Sequence, residues 1–219
     1  MAIITLNGTN VAEANVYLPR FGVWHADLLV DRQDLQAGRC ILNFEDSGIT
    51  MNGVAVRQGV FAEYLRLRIV GGAGGLYKSL TNPKSYRNVP VSAVVNDILA
   101  AAGETLNTQS DGPTLNALLQ NWTVVQQGCM AALRSVLQTS GATVRTKADG
   151  TVWIGFDTFP VVDGTFDYLL MNQKSHLGQV QIYEEVFTLQ PGQGFLGWNV
   201  GKVHRRVEKD DVRTIFYAE

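Results

Sequence analysis

A change of period divides this chain and limits what it can fold into. Up to Val70 the apolar residues alternate one by one, the period of half-buried strands. In Phe21 to Asp31, Gly22, Trp24, Ala26, Leu28 and Val30 form the cleaner apolar face, with His25 and Asp27 on the other. Leu65, Leu67 and Ile69 alternate with Tyr64, Arg66, Arg68 and Val70 in the same way. Ile3 to Leu6, Arg39 to Phe44 and Ile49 to Val56 read as further strands, with turns at Asn7 to Asn10, Asp46-Ser47-Gly48 and Arg57-Gln58-Gly59. The period then becomes helical. Val91, Val94, Val95, Ile98, Leu99 and Ala102 share one stripe, with Pro90 at the start and Gly103 at the end. Tyr77 to Asn88 reads as a polar loop, and Thr105 to Asn121 as turn-rich, anchored by Leu115, Leu118 and Leu119.

Trp122 to Gly155 reads as an amphipathic helix, a glycine stop and a β-hairpin. Val125, Cys129, Leu133, Val136 and Leu137 are spaced by three and four, and Gly141 suits a left-handed cap. In the hairpin ATVRTKADGTVWIG, a two-residue Asp-Gly turn would face Lys147 with Val152 and Arg145 with Ile154. A three-residue turn with Gly150 at positive φ groups Val144, Val152 and Ile154 on one face and sets Trp153 opposite Arg145. It is preferred because it keeps the apolar residues together. Strands return at Gly178 to Leu189, Phe195 to Arg206 and Asp211 to Ala218. The fold class expected is α+β, mainly β: two small β-barrel-like domains with an α/β insert between them. The first barrel spans 1–76, the insert of two helices and a hairpin 77–160, and the second barrel 161–219, completed by strands from the first part.

With 219 residues and 46% hydrophobic content, the chain can bury a sizeable core. A formal charge of −2 provides no global drive toward nucleic acid or anionic lipid, so no nucleic-acid specificity is expected. Cys40 and Cys129 sit in apolar contexts and read as buried small hydrophobes. No apolar run approaches the ~20 residues of a membrane span, and MAIITLNGTN lacks the pattern of a signal peptide. Synthesis and assembly in a cytoplasm are therefore expected.

The search for chemistry returns little. Gly71 to Ser79 follows a strand and ends in Lys78-Ser79, but Tyr77 stands where a phosphate-binding loop needs glycine. It reads as a tightly turning link. His25, His176 and His204 are dispersed and form no metal-ligand spacing. No G-x-S-x-G elbow is present. Glu184-Glu185 would point to opposite strand faces, and Asp210-Asp211 reads as a solvated turn. Arg205 and Arg206, beside Lys202 and Lys209, read as a solvated basic tip able to touch an acidic neighbour. No catalytic, cofactor or metal residues are expected, and no enzymatic activity.

Three passages together resemble one family: RLRIVGGAGGLYKSLTNPKSYRNVPVSAVVNDILAAAGE, the helix followed by GATVRTKADGTVWIGFDTFP, and LQPGQGFLGWNVGKVHRRVEKDDVRTIFYAE. Their order is similar to the baseplate hub proteins of tailed phages, especially Mu-like and related contractile-tail phages. The resemblance implies two small barrels around an α/β insert, three copies forming a pseudo-sixfold ring, and a role joining tail tube to central spike. It also implies a homotrimer in the virion baseplate that touches the tube protein, the spike protein, other baseplate proteins and the tape measure protein, with no cofactor. The chain is short for that family, which implies that spike, lysozyme or receptor-binding functions belong to other proteins. A sixfold tail-tube adaptor or terminator is the alternative, and a carbohydrate-binding or peptidoglycan-degrading module a third. Speculative subunit-interface residues are Tyr77, Lys78, Arg145, Trp153, Arg205 and Arg206.

Overall fold

The computed structural model describes residues 4–32, 34, 38–45, 47–162, 170–174, 179–182, 188–208 and 211–219. Asp46, His176, Glu184, Glu185, Lys209 and Asp210 lie outside the described residues, as do 183–187 of the strand expected from Gly178. The side chain of Asp211 does too.

The chain is mainly β, as its alternation predicts. Strands β1 (Ile4–Leu6), β2 (Thr9–Pro19), β3 (His25–Val30), β4 (Arg39–Phe44), β5 (Ile49–Phe61) and β6 (Tyr64–Gly71) close a barrel in the order β1-β4-β5-β6-β3-β2 and back to β1. Its interior is the predicted face: Trp24, Ala26, Leu28 and Val30 from β3 and its approach, with Leu65, Leu67 and Ile69 from β6. Strand β2 escapes the sequence reading because its inward side chains, Ala14, Val16 and Leu18, are flanked by the polar Glu13 and Asn15. Arg57-Gln58-Gly59 is not a turn. It lies inside β5, just past a register shift between Ala55 and Arg57, and the chain reverses instead at Ala62-Glu63.

After β6 come a 3₁₀ turn at Gly75–Tyr77, β7 (Lys84–Pro90), α1 (Val91–Ala102), α2 (Gly112–Asn116), β8 (Leu118–Val124), α3 (Cys129–Leu137), β9 (Thr143–Thr146) and β10 (Val152–Gly155). All six residues of the predicted stripe on α1 are buried, and Gly103 ends the helix. Helix α3 is shorter than expected. It begins after Gly128, and Val125 is 54% exposed because the chain before it pairs β8 with β7. That ribbon was unreadable because only Tyr86, Val89, Leu119, Trp122 and Val124 touch the core while its outer face is polar. Leu118, expected as an anchor, is 64% exposed. The hairpin takes the three-residue turn. Gly150 has φ 83°, Trp153 faces Arg145, and Ile154 faces Val144.

The final strands are β11 (Leu170–Lys174), β12 (Gln179–Ile182), β13 (Gly194–Phe195), β14 (Trp198–Glu208) and β15 (Asp211–Ala218). Strand β14 pairs with β2 over Glu13 to Pro19, so the later sheet continues from the barrel. Barrel and later sheet share one core, in which Phe195 and Phe216 meet edge to face with centroids 5.7 Å apart. A second core holds α1, α3 and the β9–β10 hairpin together.

Candidate functional site

The glycine link settles against nucleotide binding by its own geometry. Ala73 N–H donates to Glu104 Oε2 at 2.9 Å and Gly75 N–H to Oε1 at 2.8 Å, so the chain's own carboxylate fills the cradle. Gly75 has no room for a side chain, since a Cβ would strike the carbonyl of Ala102. Tyr77 and Lys78 sit at this turn. Tyr77 is 62% exposed, and Lys78 backbone carbonyl accepts from Cys129 N–H at 2.9 Å, anchoring the start of α3.

A junction where the barrel meets the hairpin gathers two arginines around one buried carboxylate. The Asp157 carboxylate, 2% exposed, accepts from Arg20 Nε at 2.6 Å and from Arg145 Nη1 at 2.7 Å. Arg20 also pairs with Glu219. The Arg145 guanidinium lies 4.4 Å from the Trp153 ring centroid, and Trp153 Nε1 donates to Gln109 O at 3.1 Å. Thus the Arg145–Trp153 face meets this chain's own Asp157. Arg20 and Asp157 are 137 residues apart, and no spacing in the sequence announces the pair.

Arg205 and Arg206 do not form one exposed tip. Adjacent strand residues point to opposite faces, so Arg205 is fully buried while the Arg206 side chain is 43% exposed. Arg205 Nη2 donates to Leu189 O at 3.0 Å, and its guanidinium lies 5.4 Å from the Phe44 ring. Arg206 pairs with Glu208 at 2.6 Å.

Across the seam between β3, β2 and β14, the Tyr17 ring is stacked between His25 and His204, with centroids 4.8 and 4.1 Å away. His204 Nε2 and Asn15 Oδ1 are 3.1 Å apart. Burial pushes His204 down from 6.5 to about 4, helped by the charges of Lys202 and Arg206. His25 is lowered by burial first and Arg68 second. A depressed folded-state value means that the unfolded chain binds more protons between pH 6.5 and about 4. The stability contributed is therefore complete above pH 6.5 and lost as pH falls toward about 4. Thermal midpoints should fall steeply through the window and less steeply in His204→Gln; equal slopes would refute the assignment.

No protein-family model matches the sequence, and comparison with curated proteins finds no significant match. Solved structures do match the fold. The 43 kDa tail protein of prophage MuSo2 from Shewanella oneidensis aligns with 99% of this chain and 95% of its own, at 8% identity and a TM-score of 0.71. The tail protein from Neisseria meningitidis MC58 aligns over 99% of this chain and 96% of its own, at 12% identity and a TM-score of 0.69. The E. coli c3393 protein, a component of the type VI secretion system with structural similarity to T4 tail proteins gp27 and gp5, aligns over 98% of this chain and 76% of its own. Its identity is 12% and its TM-score 0.68. At these identities the likeness is one of fold.

Proposed function

We propose that this chain is a structural tail protein: a hub subunit that joins a tail tube to a central spike by forming a trimeric, pseudo-sixfold ring, without turnover. The class follows from fold likeness to phage tail proteins over nearly the whole chain. The observation that carries the ring is in the sheet. Strands β5-β6-β3-β2-β14-β15-β12-β11 run as one antiparallel succession, registered in a single row from Ala55 through Ile69, Ala26, Val16, Arg205, Thr214 and Ile182 to Leu170. Among the described residues, β5 beyond Ala55 pairs on one side only, and so does β11. Unpaired edges are templates for another strand. Because the succession is even, β5 and β11 run in opposite directions. The β5 edge of one copy beside the β11 edge of the next therefore continues the antiparallel pattern head to tail, an arrangement that forms a ring when the rotation between copies closes.

Tube, spike, tape measure and other baseplate proteins are the partners this reading implies, within a virion assembled in the host cytoplasm. Light scattering on the purified chain across a concentration series tests it. A trimer is the expected mass; a hexamer favours the sixfold adaptor, and a well-behaved monomer at every concentration overturns ring formation.

A further inference from the structure

The sheet face that carries Tyr17 is far more basic than the chain. Overall, 18 lysines and arginines face 20 carboxylates, for a formal charge of −2. Register places Arg57, Arg66, Arg68, Lys202, Arg206 and Arg213 on this one face. The same register places Glu13, Asp27, Glu208 and Asp211 beside them, and two of these are occupied. Asp27 takes Arg68 through two bonds of 2.7 Å, and Glu208 takes Arg206. Arg57 lies directly opposite Arg68, and Arg206 directly opposite Arg213. Like charges opposed across strands weaken a sheet, and two such pairs lie on this face, Arg68 and Arg206 each offset by its own carboxylate.

Aromatic rings accompany the cations. The Arg66 guanidinium is 5.8 Å from the ring of Phe61, which is 65% exposed at the end of β5. Lys202 Nζ lies 4.9 Å from the Tyr217 ring. Arg57, Arg66, Arg68 and Phe61 line an open groove of about 560 Å³ beneath the β5–β6 hairpin.

We infer that this face binds single-stranded nucleic acid through its phosphate backbone, with Arg57 and Arg66 in the groove contacting phosphates and Phe61 offering a ring on which a base stacks. Cations beside exposed aromatic rings on a sheet suit an unpaired strand, whose bases present their faces. An acidic peptide would use the charges and leave the rings idle. Binding of this kind is independent of base sequence. It goes beyond the assembly reading and does not require it, since it uses side chains on the sheet face, whereas the ring contact uses backbone groups at the strand edges.

The test is fluorescence anisotropy of a labelled mixed-sequence single-stranded oligonucleotide with the whole chain over a KCl series. Binding should weaken with salt, the logarithmic slope reading about 0.7 per phosphate contact. The double variant Arg57→Glu, Arg66→Glu should bind about tenfold more weakly or worse, and Phe61→Ala should also weaken binding. Arg134→Glu, on α3 away from this face, should leave it unchanged. Circular dichroism confirms that each variant is folded. Absence of binding by the native chain at low salt, or equal binding by the folded double variant, overturns the inference. Equally tight capture of polyglutamate would reassign the face to acidic protein, and equally tight binding of duplex would remove the stacking role.

Discussion

Replacing Trp24 with alanine is expected to destabilise the chain by roughly 3–5 kcal/mol, the range for emptying a large buried aromatic site. Trp24 is 1% exposed, and its indole packs against Gly53 and Gly71, where any Cβ would collide with the ring. Its Nε1 donates to Lys147 O at 3.1 Å, so the same side chain fills the barrel and ties it to the β9–β10 hairpin. In a chain of this size the thermal midpoint should fall by on the order of 10 °C. Trp24→Phe keeps most of the packing but leaves the Lys147 carbonyl without that donor, a loss of about 1–3 kcal/mol. If Trp24→Ala melts within a degree or two of the native chain, the indole is not the anchor argued here.

Asp157→Ala is the second large effect. It leaves the guanidinium groups of Arg20 and Arg145 side by side with their shared carboxylate gone, and breaking a buried pair from one side costs about 3–5 kcal/mol. A double-mutant cycle with Arg145→Met separates the ion pair from packing. Strong coupling is expected, because once Arg145 is neutral the loss of Asp157 strands only Arg20. Additive effects would show that Asp157 acts through shape alone. The variant should also loosen the segment around Gly192, where a Cβ would meet the Asp157 carboxylate, and hydrogen exchange there would report it.

Local patterns carried much of the fold. The alternation in β3 and β6, the stripe on α1 and the turn register at Gly150 were all legible because each depends on neighbours a few residues away. The pairing of Trp153 with Arg145 followed from that register alone. The start of α3 is not legible in the sequence because a strand with one polar face and a helix flank look alike over a few residues. Arg205 and Arg206 read together as a basic tip, whereas adjacent strand residues point to opposite faces. A buried arginine cannot be told from an exposed one until its strand's neighbours are known.

By itself, the sequence determined a mainly β chain with an α/β insert, an unsuitable phosphate loop and dispersed histidines. Those are properties of short-range period and spacing. Only the tertiary structure decided that β2 joins the barrel to the later sheet, that Asp157 gathers arginines from distant segments, and that an acidic chain turns a basic face outward. Each of those rests on which strands become neighbours. Cross-strand register joins residues far apart in sequence, and neither net charge nor local periodicity records it.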